Sequence, residues 1–408
     1  MKDLRAVLIL AVATGAALGR MPLARAQAAS LAPAQPDDYF RLVLGDQYAY
    51  DDNLFRLPDT LGVGSSRGDH INSLIAGFDT QYSFLHQDIR VSTRVNNNRF
   101  ARNDTLNNTS GTGTVNLDWV LNSWLSGTAG TDFSRVQANF ADTFFFAKDL
   151  VDTTEYFATA RMQFSQHWRF TGGFTESDTT HSAPERAEDE IRGKYSNLGV
   201  AYVTSENDSF GFQYRYTSAA RPFLSDFNGE PFNSAYRDNI GQFNVNYAFS
   251  PTTQLKANAG YIRRSYPYAD IGSFSGSTWR VSLSNQITGK TQLSASTWRE
   301  LTAYLDAATD YFVARGESVR ATWDATAKIA VSLTGSYMGQ DYINSSTSAL
   351  LYDHRHDVVR AAQAAVDYLP VDSLRLTLSY RFENRGSTIP QFGYDTRIIA
   401  AQLTYQFL

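Results

Sequence analysis

Few residues in this chain of 408 are placed to do chemistry. His354 and His356, in Asp353-His354-Arg355-His356-Asp357, have an x-separated spacing that could hold a metal, but a catalytic zinc needs a third protein ligand and none accompanies them. His70, His86, His167 and His181 are scattered. Ser345 and Ser346 precede the histidine pair, yet no Gly-x-Ser-x-Gly elbow is present, and no acid that would order a Ser–His pair stands out. Cysteine is absent, which excludes thiol nucleophiles, disulfides and Cys-ligated metals. The expectation is a protein that is not an enzyme, holds no metal and takes no cofactor.

Asp51-Asp52-Asn53-Leu54-Phe55-Arg56 is the other polar constellation. Asp and Asn cap turns through side-chain to backbone bonds, and Leu54 and Phe55 could anchor a loop against its surroundings. The ligand-binding alternative is a sugar hydroxyl or a Ca²⁺ ion, since hard oxygens suit that cation. An acidic pair alone fits either role.

The elements that must position these residues are legible at the C-terminus. Ile399, Ala401, Leu403, Tyr405 and Phe407 alternate with Ala400, Gln402, Thr404 and Gln406, a period of two that predicts a strand apolar on one face. A strand of this kind suits an outer-membrane β-barrel, with one face on lipid and one on a watery lumen. The pattern recurs: Tyr156, Ala158, Ala160, Met162 and Phe164 oppose Glu155, Thr159, Arg161 and Gln163, and Leu374, Leu376, Leu378, Tyr380 and Phe382 oppose Arg375, Thr377, Ser379, Arg381 and Glu383. Residues 210–217, 242–249 and 278–287 read the same way. Residues 291–301 are ambiguous, because Arg299 falls on the face of Leu293 and Ala295.

Counted along the chain, such segments predict an all-β, antiparallel up-and-down transmembrane barrel of about 18 strands, with 16 as the alternative, each roughly 9 to 15 residues long. Short connections are expected near Leu85, Asn122, Gln166, Asn207, Pro251, Gly289, Ala327 and Pro370. Longer ones are expected over 51–69, 101–109, 139–152, 181–191, 219–235, 266–273, 304–309, 344–354 and 385–394. Such alternation of loop length belongs to a barrel with both termini periplasmic. At this size a barrel encloses an aqueous channel. The candidate pore-lining residues are Arg161, Gln163, Gln213, Arg215, Gln242, Asn244, Asn246, Arg280, Arg375, Arg381 and Glu383. The loop from Phe140 to Val151, with Phe144-Phe145-Phe146, is unusually apolar and is expected to fold inward as a constriction or to pack on a partner.

At the N-terminus, Lys2 and Arg5 precede an apolar run from Ala6 to Leu18, followed by Ala24-Arg25-Ala26. This predicts a signal peptide over residues 1–26, its apolar core of about 13 residues falling short of the roughly 20 that a spanning helix needs. A short periplasmic leader, 27–38, would precede the barrel, 39–408. Loss of Lys2, Arg5, Arg20 and Arg25 with Asp3 removes +3 and takes the net charge from −5 to −8. An acidic exported chain is not a nucleic-acid binder.

Several segments carry a family resemblance. They are Tyr50-Asp51-Asp52-Asn53-Leu54-Phe55-Arg56-Leu57-Pro58-Asp59, Arg263 to Gly276, Thr288-Gly289-Lys290-Thr291-Gln292-Leu293 with Arg299-Glu300-Leu301, Trp323 to Lys328, and Phe392-Gly393-Tyr394-Asp395. In order across nearly the whole mature chain, they resemble the EpsL-type outer-membrane proteins, β-barrel porins associated with exopolysaccharide biosynthesis and PEP-CTERM/exosortase systems. Leu408 departs from the pattern, because such barrels usually end on the aromatic itself. The resemblance implies a place in the outer membrane of a Gram-negative bacterium and a part in exopolysaccharide biosynthesis or export, as a channel or channel-like accessory. Its implied partners are outer-membrane lipid, a polysaccharide, and periplasmic or inner-membrane export components. The alternatives are a general diffusion porin for small solutes and a non-conducting barrel that scaffolds the export machinery.

Overall fold

The computed structural model describes residues 39–58, 67–141, 145–227, 230–268, 273–306, 309–344 and 355–407. The expected signal peptide and leader, His354, Ser345, Ser346, Phe144 and Leu408 lie outside the described residues.

The strands are β1 (Tyr39–Asp51), β2 (Asp69–Phe84), β3 (Gln87–Phe100), β4 (Asn108–Asn122), β5 (Leu125–Gln137), β6 (Leu150–Gln163) and β7 (Trp168–His181). Then come β8 (Ile191–Val203), β9 (Ser209–Ala220), the small hairpin β10 (Ser225–Phe227) and β11 (Glu230–Phe232), β12 (Tyr236–Ser250), β13 (Thr253–Ser265) and β14 (Phe274–Thr288). The last are β15 (Thr291–Asp306), β16 (Thr309–Thr326), β17 (Ile329–Asn344), β18 (His356–Val371), β19 (Leu374–Ser387) and β20 (Tyr394–Phe407). All but β10 and β11 form one 18-stranded antiparallel sheet in which each strand pairs with its sequence neighbours. Pairing of β1 with both β2 and β20 closes the sheet on itself. Closure satisfies the backbone of every strand without leaving an edge, which is the condition for crossing a membrane with strands.

The period of two sets the two faces. On β20, Ile399, Ala401, Leu403, Tyr405 and Phe407 are exposed while Gln402, Thr404 and Gln406 are half-buried. On β19, Leu376, Leu378 and Tyr380 are exposed and Arg375, Thr377, Ser379 and Arg381 are half-buried. The exposed row is the convex outside of the barrel, where Leu378 shows 59% of its surface. Apolar residues at that exposure around a whole barrel are stable in lipid and not in water. Phe84, Trp124, Trp168, Phe249, Trp323, Tyr368 and Phe407 form an exposed aromatic girdle at the end with short turns.

Connections alternate as expected, with short turns such as 85–86, 251–252, 289–290 and 372–373, and longer segments at the other end. Leu85 and Asn207 take left-handed backbone (φ 56° and 67°) in two of the short turns. The turn expected near Pro370 is at Asp372-Ser373, and Pro370 itself lies within β18, where a register irregularity between Tyr368 and Val371 accommodates a residue without an N–H. The expected strand lengths are corrected. Several strands exceed 15 residues, up to 18 in β16, because the hairpins continue their pairing beyond the apolar band.

Candidate functional site

The polar residues expected to line the lumen fall on the rows opposite the exposed apolar ones. Arg161 and Gln163 alternate with exposed Ala160 and Met162 on β6, and Gln213 and Arg215 with exposed Phe212 and Tyr214 on β9. Register places Gln242 across from Gln213, whose oxygen accepts from Gln242 Nε2 at 3.0 Å. The chain of amides continues, with Gln213 Nε2 donating to Asn197 Oδ1 (3.2 Å) and Gln242 Nε2 to Asn244 Oδ1 (3.0 Å). Asn246 follows on the same row and is buried. Arg280 pairs with Glu300 at 3.0 Å, and Arg381 with Glu383, which also accepts from Tyr394 Oη at 2.7 Å. Among the described residues, Arg161, Arg215 and Arg375 make no ion pair, and Nε of Arg215 and of Arg375 is buried without a hydrogen-bond acceptor.

At the end with long connections, the Asp51–Arg56 segment is a closed turn. Asp51 Oδ1 accepts from Asn53 N (3.0 Å) and Thr396 Oγ1 (2.9 Å), and Arg56 Nη1 reaches Asp51 Oδ2 at 2.8 Å. Asn53 Nδ2 donates to the carbonyls of Leu57 (2.8 Å) and Asp395 (2.9 Å), tying the turn to β20. Asp52 Oδ1 accepts from Arg397 N at 2.7 Å. The oxygens a sugar or a cation would use are thus engaged by the protein itself. Among the described residues no group of three His, Asp or Glu is arranged to hold a metal. His356 bonds Asp341 Oδ1 through Nδ1 at 2.7 Å.

Leu54 is buried with Leu106 of the β3–β4 connection and with Phe140, and the cluster rests on Ile71 and Phe100. Phe55 packs edge-on against Phe140 and Phe146, with ring centroids 5.0 and 5.7 Å away. Phe140 and Phe146 belong to the β5–β6 connection, and these described residues of it therefore lie inside the mouth against the inner faces of β2 and β3. The connection reaches further. Arg385 of β19 donates from Nη1 to the carbonyl of Ala141 at 2.7 Å, although β20 and β1–β4 stand between β19 and β5 along the wall.

Arg385 is positioned by a buried cluster. Asp357, fully buried, accepts from Arg385 Nε (2.9 Å) and Nη2 (2.6 Å) and from Arg355 Nη2 (2.8 Å), while Tyr342 Oη accepts from Arg385 Nη2 (2.8 Å). The Arg355 guanidinium stacks over Phe392, 3.4 Å from the ring centroid. At its other end the connection is fixed by Asp149, also fully buried, which accepts from His181 Nδ1 (2.7 Å) and from the amides of Ser182 (3.1 Å) and Ala183 (3.2 Å). Burial alone would raise the Asp149 carboxyl, but the bonds and charge from His181, the Ala183 amide and Arg186 hold it below its ordinary value of 3.8. None of these anchors stood out in the sequence. Arg355 and Asp357 flank His356 in the run that drew attention for its histidines.

A closed 18-stranded sheet with a polar inner wall, an apolar outer one and a connection folded into the mouth is the architecture of a pore. Residues 226–407, essentially β12 to β20, match the family described as "Putative beta-barrel porin 2". The chain is an 18-stranded β-barrel with the fold of solved porins. Among solved structures it resembles OccK9 (OpdG) of Pseudomonas aeruginosa, at 13% identity over 91% of this chain and 98% of that one, with a TM-score of 0.50. It also resembles a BenF-like porin of Pseudomonas fluorescens Pf-5, at 10% identity over 91% and 99% of the two chains, with a TM-score of 0.51. At such identities the likeness is one of fold. No curated protein matches the chain.

Proposed function

We propose that the protein is a diffusion channel of the Gram-negative outer membrane for small hydrophilic solutes, its mouth narrowed by the β5–β6 connection. The observation that carries this reading is the bond from Arg385 to the Ala141 carbonyl, which holds that connection inside the mouth instead of leaving it above the rim. Arg161, Arg215 and Arg375, without carboxylate partners among the described residues, favour solutes bearing a carboxylate or many hydroxyls. The pore lining is then the set of inward residues named above, from Arg161 to Glu383. Swelling of proteoliposomes tests it: a monosaccharide acid should enter readily and a long oligosaccharide should not. Equal exclusion of both would contradict an open channel.

A second reading, participation in exopolysaccharide biosynthesis or export, is favoured by the residues that resemble the EpsL-type proteins, Tyr50–Asp59 above all. It requires a polysaccharide and periplasmic or inner-membrane components as partners. Loss of surface polysaccharide on deletion of the gene, with small-solute uptake unchanged, supports this reading over the first.

A further inference from the structure

The outer wall of β16–β19 carries a feature that lipid contact alone does not require. Register brings small outward residues together there: Gly335 stands opposite Ala362, and Leu333 stands between Ala321 and Ala364. With Val319 and Tyr380 they bound an apolar groove of about 370 Å³. A second set of small outward residues, Gly127, Ala160 and Gly172 on β5–β7, is covered by Trp119 and Leu198, whereas a Cβ at Gly335 would meet nothing within 4 Å.

One register step toward the long connections, the outward row changes character. Tyr337 lies opposite both Glu317 and Arg360, so that Arg360 is the next outward residue above Ala362. One step higher, Arg299 and Arg315 stand directly opposite each other on β15 and β16. Like charges so placed repel, and an anion between them removes the penalty. Among the described residues neither Arg315 nor Arg360 makes an ion pair, although both are exposed. Asp341 in the next row is taken by His356 at 2.7 Å, which leaves Glu317 as the acidic group beside these guanidinia.

The height of this row fits a lipid headgroup. Arg360 stands 11 residues from Val371 at the short-turn end of β18, and Arg315 stands 11 from Thr326 of β16. At about 3.3 Å per residue and a tilt of about 45°, that is about 25 Å, the upper edge of the apolar band. A groove for an acyl chain therefore opens directly beneath two exposed guanidinia at the outer-leaflet interface.

We infer that the outer face of β16–β19 is a specific binding site for a phosphorylated glycolipid of the outer leaflet. One acyl chain fills the groove over Gly335 and Ala362, Arg315 and Arg360 bind phosphate, and Tyr337 (46% exposed) lies where the sugar would sit. Guanidinium and phosphate make charge-assisted bonds that a neutral lipid cannot.

Native mass spectrometry of the full barrel, released from detergent micelles in the presence of hexa-acylated, bis-phosphorylated lipid A, tests the site. The double variant Arg315→Gln/Arg360→Gln should weaken binding by about tenfold or more, as expected for loss of two charge-assisted bonds. Gly335→Leu should weaken it comparably by filling the groove; a Cβ there meets nothing within 4 Å, so the barrel is not strained. Dephosphorylated lipid A should bind the wild type as poorly as phosphorylated lipid A binds the double variant. Heat-modifiable gel mobility shows that each variant is folded. Unchanged binding in either variant overturns the proposal. So does phosphatidylglycerol binding as tightly as lipid A, or a wild-type dimer that Gly335→Leu dissociates, which would make the groove a contact between copies.

Discussion

At the scale of single residues, the side chains that hold the mouth in place are buried carboxylates with several donors each. Asp149 and Asp189, both influenced by His181, respond to pH in opposite senses. Burial pushes the Asp189 carboxyl up to about 6 in spite of its ion pair with Arg186 at 2.7 Å. A carboxyl raised on folding binds its proton more readily in the folded chain, so the β7–β8 connection gains stability as pH falls from above 6 toward 3.8. Asp149 is held low, so its contribution is full above 3.8 and is lost only at lower pH. Amide exchange over residues 182–190 should therefore be slower at pH 5 than at pH 7.5 after correction for intrinsic rates, and Asp189→Asn should remove the difference. A difference that persists in the variant would assign the effect to another group. Little of this was legible in the sequence. Asp51 and Asn53 announced a turn by their type and spacing, and the structure closes that turn with Thr396 and Asp395, some 340 residues away, which no local pattern reveals.

At the scale of the strands, alternation of period two carried most of the information, because a membrane barrel must put one row of every strand on lipid. Leu378 and Thr377 are adjacent on β19 and face opposite sides, the first exposed and the second donating to Asp367 Oδ1 at 2.6 Å. Leu378→Arg is expected to impair assembly, since a cation in the apolar band costs about 2–4 kcal/mol near its middle, whereas Thr377→Arg, facing the lumen beside Asp367, should assemble normally. Heat-modifiable gel mobility reads the folded fraction; equal tolerance of both would reverse the assignment of faces. The pattern blurs where outward residues are polar. Arg299 does face outward, with its guanidinium 5.8 Å from the Trp279 ring centroid, and Asp46 sits on the outward row of β1, where Asn72 Nδ2 donates to it at 2.8 Å. Strand ends were less legible than strand faces, because pairing in β16 and its neighbours runs past the membrane on hydrogen bonds that need no hydrophobic signal.

At the scale of the whole molecule, the alternation of short and long connections was legible in the sequence, and so was an even strand number, 18 or 16, since an antiparallel sheet closes on itself only with an even count; the pairing of β1 with β20 makes it 18. The inward course of the β5–β6 connection had only its aromatic composition to announce it, and the far wall that receives it, Arg385 with Asp357 and Tyr342, is assembled by closure of the sheet. The central claim is an aqueous passage narrowed by that connection. Single-channel recording in planar bilayers tests it most directly, comparing the wild type with Arg385→Gln, in which Arg355 still pairs with Asp357 but the bond to Ala141 is lost. The wild type should conduct in discrete steps, and the variant, shown to be folded by gel mobility, in larger ones. A folded wild-type barrel that does not conduct, or a variant whose steps equal those of the wild type, would contradict the account.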